Sequence, residues 1–229
     1  MRTFGSEKNY AVWNNQITET LLQDRTTGTS FPINPNEVMP RYMKAAEEQK
    51  SRTKNGAEVF TPYEIIKKMN DQVQGDFGGS IGEYIKRTVL EVTCGEAPFL
   101  TTRYDAASGE EILVENRTGL LDRKLRCIPD IIGKDGYVEC ATAALKSVYG
   151  YELESDSLFL ARRNLLMTTI EHYENVWETE PSYETVLNWA SIISYNIIWM
   201  DGRYNCVPDT DIPATVMNWE TGKVERFAA

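Results

Sequence analysis

The sequence predicts an α/β domain with a mostly parallel sheet and a C-terminal β-hairpin. Three observations predict it. Short β-branched or aromatic runs at 88–92, 147–152 and 196–200 each lead into a small or acidic residue, as buried strands do. Stretches of helical periodicity separate these runs, and alternation of strand and helix argues for crossover connections and parallel pairing. Near the C-terminus, two strand-like runs, 214–219 and 223–227, flank Glu220-Thr221-Gly222 as the arms of a hairpin would. The chain has 229 residues, 41% of them hydrophobic and 25% charged, which suits one sizeable core better than several.

Taken in order, residues 6–24 place Val12, Ile17 and Leu21 on one side of a short amphipathic helix. Residues 26–40 are rich in Thr, Gly, Pro and Asn and read as a loop, and 41–52 as a polar helix. At 61–64, Thr61 followed by Glu64 fits a capping box with Pro62 in the first turn, and Ile65, Ile66 and Met69 then give a helix over 62–73. The stretch 75–82 breaks that helix. A helix over 156–173 carries Leu158, Leu160, Ala161, Leu165, Leu166 and Ile170 on its apolar side, and another covers 182–195. The expected organisation is an N-terminal helical and loop extension (1–54), a central domain (55–208, with an insertion about 103–136) and the terminal hairpin (209–229).

Charge narrows the function classes. With 24 Lys plus Arg against 34 Asp plus Glu, the formal net charge is −10, so the chain lacks the global electrostatic footprint of a stand-alone nucleic-acid binder. Contact with DNA requires a local patch or a basic partner chain. No apolar run approaches the roughly 18 residues of a membrane span, and the opening residues carry no apolar signal core, so a cytoplasmic protein without a membrane partner is expected. Cys94, Cys127, Cys140 and Cys206 form no Cys-x-x-Cys pair, and the one histidine, His172, reads as a surface residue. Reduced thiols and no metal site are expected.

Open α/β sheets bind ligands at the carboxyl ends of their strands. The run at 88–92 leads into Thr93-Cys94-Gly95-Glu96, a turn at which bare backbone can approach a ligand. The next strand ends at Glu152, suited to accept hydrogen bonds from a ribose diol, and the third at Asp201, suited to an adenine amino group. Together these would form a nucleoside-cofactor site.

These residues resemble a family. Glu58-Val59-Phe60-Thr61-Pro62 is similar to the Phe-Thr-Pro segment of adenine-N6 DNA methyltransferases, and Leu90-Glu91-Val92-Thr93-Cys94-Gly95-Glu96 to their first cofactor motif. Gly150-Tyr151-Glu152, followed by Leu160-Ala161-Arg162-Arg163-Asn164-Leu165, resembles the next motif, and 196–202 the strand after it. The four occur in the family's order over residues 58–202. The closest likeness is to modification subunits of restriction systems. The resemblance implies a Rossmann-like methyltransferase fold that binds S-adenosylmethionine. Phe60 and Pro62 would lie beside the cofactor, with Thr61 at its carboxylate. Glu91, Cys94, Gly95 and Glu96 would be at the first motif, Glu152 on the ribose and Asp201 on the adenine. It implies methyl transfer to the exocyclic amine of a flipped adenine, by positioning and without a covalent intermediate.

Two departures stand beside the match. The family's catalytic Asn/Asp-Pro-Pro-aromatic tetrapeptide occurs nowhere in the 229 residues; Asn34-Pro35-Asn36-Glu37 and Asn218-Trp219-Glu220-Thr221 come nearest. The stretch between Gly95 and Glu152 is also long, and it carries Arg123, Lys124 and Arg126, either a phosphate-contacting patch or a helical face with an Asp122–Arg126 ion pair. A catalytic methyltransferase, a non-catalytic methyltransferase-like module and a split enzyme needing a second protein subunit all remain open, as does an RNA or protein substrate.

Overall fold

The computed structural model describes residues 15–56, 61–75, 79–130, 132 and 136–227. Its α-helices are α1 (Asn15–Leu22), α2 (Ala46–Gly56), α3 (Tyr63–Gln74), α4 (Ile81–Lys86), α5 (Leu120–Arg126), α6 (Tyr137–Lys146), α7 (Ser155–Trp177) and α8 (Tyr183–Asn196). The strands are β1 (Val89–Glu91), β2 (Val148–Glu152), β3 (Ile197–Trp199), β4 (Thr215–Asn218) and β5 (Lys223–Arg226). The first three form a parallel sheet in the order β1-β2-β3, and the last two an antiparallel hairpin. The α/β class, the parallel pairing and the hairpin are as the sequence predicts.

Register divides the sheet into two faces. Glu91 pairs with Gly150 and Gly150 with Ile197, so Val89, Glu91, Val148, Gly150, Glu152, Ile197 and Trp199 share one face by strand alternation. Val148 and Ile197 there join the main core with Leu165 and Leu166 of α7 and Trp189 and Ile193 of α8. On the opposite face Ile198 and Met200 pack with Ala214, Tyr151, Val216 and Phe227, so the hairpin segment covers that side.

Helix α7 is the axis of the molecule. It packs against α1, α5, α8, β2 and β3, and residues 157–162 and 164–170 are all buried. Arg162 is buried completely. Its guanidinium donates to the carbonyls of Leu21 and Gln23 at the end of α1, and to those of Ser194 and Ile197 at the end of α8. It thereby satisfies carbonyls that a helix C-terminus leaves without partners.

Several expectations are corrected. Thr61 and Glu64 do not form the capping box: Pro62 is the N-cap of α3 and makes no side-chain cap bond, and Asp105 Oδ2 accepts from Tyr63 N (3.0 Å) instead. A capping box does form at Ser80 and Glu83, inside the stretch expected only to break structure, and it starts α4. The polar helix expected at 41–52 divides into a 3₁₀ turn, Arg41–Met43, and α2. Helix α1 begins at Asn15; the rest of the expected 6–24 helix that precedes it lies outside the described residues. So does part of the insertion at 103–136, whose described portion holds α5 and a 3₁₀ turn, Val114–Asn116.

His172 is not a surface residue. It is buried, and its Nε2 lies 3.0 Å from Oδ1 of the fully buried Asp122. Asp122 therefore pairs with α7 rather than with Arg126.

Candidate functional site

The carboxyl ends of β1 and β2 meet in one turn. Thr93, Gly95 and Ala97 take left-handed backbone at φ 48°, 54° and 60°, alternating along the chain. For two non-glycine residues this is sparsely populated backbone, held only where the surroundings enforce it. The enforcement is visible: Cys94 N donates to Tyr151 O (2.8 Å) on the neighbouring strand, and Ala97 N to Cys94 O (2.7 Å). Cys94 then lies over Gly150, where an added Cβ would come within 3.2 Å of both its Cβ and its Sγ, so glycine at 150 is what lets the turn lie against β2.

Two carboxylates on the same sheet face hold this turn. Glu91 accepts from Phe99 N and Leu100 N, both at 3.2 Å. Glu152 accepts from Gly95 N (2.8 Å) through Oε2, and from Leu153 N (2.9 Å) and Glu154 N (3.0 Å) through Oε1. Burial pushes the Glu91 carboxyl up to about 8, Phe99 and Leu100 opposing it and Glu152 adding to it. Burial also pushes the Cys94 thiol well above its usual range, with Glu91 and Glu152 reinforcing the shift, so Cys94 is not poised as a nucleophile.

The raised value of Glu91 gives a signed expectation. The folded state holds a proton that the unfolded state releases near 4.5, so this group's stabilising contribution is full below pH 4.5 and is lost as pH rises through about 8. Glu91→Gln is expected to flatten the decline of the melting temperature between pH 5 and 8 (about the limits of that window). A wild-type slope retained in the variant removes Glu91 as its cause.

Glu96 takes a different role from that implied. It is buried, Oε1 accepts from Arg41 N (2.7 Å), and Oε2 accepts from the Tyr104 hydroxyl in a short bond. Asn164 Nδ2 donates to both Glu96 O and Tyr104 Oη at 3.0 Å. A small cavity beside this knot is lined by Glu96, Pro98, Thr101, Tyr104, Ala106 and Asn164.

Asp201 lies two residues beyond the end of β3, and both its oxygens are held by Arg203, at 3.0 Å to Nε and 2.6 Å to a terminal nitrogen. Phe60 lies outside the described residues. Thr61 is half-buried and Pro62 caps α3, which Tyr63 ties to the 105–116 loop through Asp105 and Asn116 O. Among the described residues, no hydrogen bond joins Thr61 to the 93–97 turn.

The basic residues of α5 have internal partners. Lys124 is buried, with its amine on Arg87 O and Ser147 Oγ, and burial lowers it to about 7. Arg123 reaches Thr118 O, Gln74 and Asp71, and the exposed Arg126 reaches Arg117 O and Val114 O. Lys124 is therefore corrected from a patch residue to a buried one, leaving Arg123 and Arg126 toward the surface. The near-matches to the catalytic tetrapeptide close their own turns: Asn34 Nδ2 bonds Glu37, and Asn218 Oδ1 accepts from Glu220 N and Thr221 N. The Trp219 ring lies under Lys146, with its Nε1 on Asn196.

The sequence carries little sign of two neighbours of the turn and of one carboxylate on α7. Tyr104 and Asn164 reach Glu96 from the insertion and from α7, and Asn164 alone had a signal, within the Arg-Arg-Asn motif. Asp156, in the first turn of α7, binds Lys44 and Arg52 across more than a hundred residues and had none. No family model, curated protein or solved structure matches the chain. Among the described residues no helix is long and apolar enough to cross a membrane, and no cluster of three or more His, Cys, Asp or Glu could hold a metal ion.

Proposed function

We propose that this chain binds S-adenosylmethionine at the carboxyl ends of β1 and β2, in the manner of adenine-N6 DNA methyltransferases. The observation that carries the proposal is the Gly95 N–H bond to Glu152. It joins the glycine turn after one strand to the acid ending its parallel neighbour, the pairing from which open α/β sheets hold nucleosides. The parallel order β1-β2-β3 with helices between is compatible with one half of a doubly wound, Rossmann-like sheet, which supports the reading.

The residues fit the cofactor unevenly. Glu152 is oriented by three backbone N–H groups beside the turn, where a ribose diol would donate to it, and Gly95 and Cys94 present backbone toward the same end. Thr61 and Pro62 would close the methionine side. Glu91 acts on the turn itself, and Glu96 holds the loop above it. Asp201 would meet an adenine amine only after Arg203, whose side chain is 73% exposed and lies 5.4 Å over the Tyr204 ring, swings aside. The cofactor would supply an electrophilic methyl group on a sulfonium; the chain's residues would bind it, orient it and exclude water.

A second reading is favoured by one observation. Among the described residues β1 is an edge of the sheet, with Leu90 44% and Val92 58% exposed, whereas parallel strands are normally covered on both sides. A second protein subunit supplying the next strand, the absent tetrapeptide and the DNA-contacting surface would explain it. Arg123 and Arg126 are then a minor contribution to DNA binding.

Calorimetric titration with S-adenosylmethionine and S-adenosylhomocysteine tests the first reading. Saturable binding is expected, and Glu152→Ala is expected to weaken it by about 1–3 kcal/mol, the range for charge-assisted hydrogen bonds. An unchanged affinity takes Glu152 out of the site, and no binding at millimolar cofactor rejects the cofactor reading for the isolated chain. Methyl transfer to adenine-containing DNA, with and without a candidate subunit, then separates enzyme from module.

A further inference from the structure

The 3₁₀ turn Arg41–Met43 and α2 cross the same end of the sheet as the candidate site. Arg41 N bonds Glu96, the residue after Gly95. The Tyr42 ring meets Tyr104 edge-on at 5.6 Å and fills the space above Gly109, where a Cβ would come within 2.4 Å of it. Arg41 also reaches Thr53 Oγ1 (2.7 Å), tying the two ends of the segment together.

Little apolar surface holds this segment down. Lys44 is the only buried residue between 41 and 54, and α2 has no apolar face. An 11-residue helix of that composition is marginal by itself in water. Besides the Arg41 N–Glu96 bond and the Tyr42–Tyr104 contact, one carboxylate on α7 gathers its charges. Asp156 accepts from Lys44 Nζ and, in bidentate fashion, from the two terminal nitrogens of Arg52 at 2.8 and 2.9 Å. Glu48 lies 3.6 Å from Lys44 and 3.9 Å from Arg52, completing the charge cluster. Asp156 sits in the first turn of α7, where the helix dipole favours a negative charge.

We propose that residues 41–53 form a strap latched on Asp156, which closes over the β1 turn and opens to admit a ligand. The latch stands on the contacts alone; the gating role rests on the cofactor reading given above. A polar strap held mainly by ion pairs and hydrogen bonds differs from a packed element, because its opening costs polar contacts more than buried apolar area.

Hydrogen–deuterium exchange on the full chain tests the latch. Asp156→Asn is expected to lower protection of the α2 amides roughly ten- to hundred-fold, the equivalent of losing one or two charge-assisted bonds, while α8 amides are unchanged. The pair Lys44→Met and Arg52→Gln, which leaves α7 intact, is expected to do the same. Unchanged α2 protection in both proteins overturns the latch. For the gate, the probe is S-adenosylhomocysteine in rapid mixing: association is expected to accelerate in Asp156→Asn as α2 protection falls. A loosened strap with an unchanged association rate overturns the gate, and absence of binding to either protein overturns the gate and the cofactor reading together while the exchange result still judges the latch.

Discussion

Replacing Arg162 by methionine is expected to cost about 3–5 kcal/mol, a large share of the roughly 5–15 kcal/mol that holds a domain folded. The guanidinium donates to Leu21 O and Gln23 O at 2.8 Å, to Ser194 O at 2.9 Å and to Ile197 O at 2.9 and 2.6 Å, and it lies 4.8 Å over the Phe31 ring. Burial lowers its own value to about 9, Arg25 adding to that and Asp24 opposing it, so its charge is held at a cost. An apolar replacement would recover that cost if the acceptors left with it. They do not: the carbonyls belong to the backbone of α1, α8 and β3, and each buried acceptor without a donor is destabilising. Arg162→Lys is expected to fall between, since one ammonium cannot serve four carbonyls in a planar fork. Urea unfolding of the three proteins measures this. A methionine variant within 1 kcal/mol of wild type, on the order of one ordinary hydrogen bond, would falsify the capping role.

Asp122→Ala is expected to be nearly as severe, about 3–4 kcal/mol, from the same class of effect. Asp122 Oδ1 meets His172 Nε2, while Oδ2 accepts from Thr102 N (2.9 Å) and the Thr102 hydroxyl. Thr102 Oγ1 in turn accepts from Thr118 N and Gly119 N, so removing one carboxylate leaves Thr102 N, the Thr102 hydroxyl and His172 without their partner and loosens the hydroxyl that holds the start of α5. Gly119 is locked into the same knot, for an added Cβ would lie 2.4 Å from Leu100 O and 2.6 Å from Asp122 Oδ2. Asp122→Asn keeps the shape and an acceptor for Thr102 N, and is expected to retain much of the stability that alanine loses. Thermal melts of Asp122→Ala, Asp122→Asn and His172→Ala decide it: equal, small losses in all three would show that the knot is replaceable packing.

What could be read ahead of the structure was local. The strand runs at 88–92, 147–152 and 196–200 are legible because their side chains enter the core on one face, and Glu220-Thr221-Gly222 because a hairpin needs left-handed backbone, here at Gly222. Both Thr61/Glu64 and Ser80/Glu83 have the letters of a capping box. Only the second forms one, because Asp105 reaches the N-terminus of α3 from the insertion, a contact that no window around residue 61 contains. His172 follows Glu171 and precedes Tyr173, so its neighbours suggested solvent. Yet α7 is covered on nearly every side, and its polar residues are satisfied at a distance: Glu171 by Arg103 and Arg117, His172 by Asp122. For the same reason Lys124 read as part of a surface patch. At the site, the order Gly95 then Glu152 was legible and their contact follows from parallel pairing, whereas the Glu96–Tyr104–Asn164 knot and the Asp156 latch exist only after folding.

The pairing of the sheet carries one more consequence. Val89 meets Val148, and Gly150 meets Ile197, so neither strand contact is local in the chain. Closing such loops costs entropy before any contact repays it, and parallel strands gain nothing from a tight turn. The helices therefore have a head start, and assembly of the sheet is the slow event. Until β2 arrives between its neighbours, the 93–97 turn has no Tyr151 carbonyl and no Glu152 to hold its left-handed residues. The turn that we assign to the ligand is thus held in shape only once the sheet has paired.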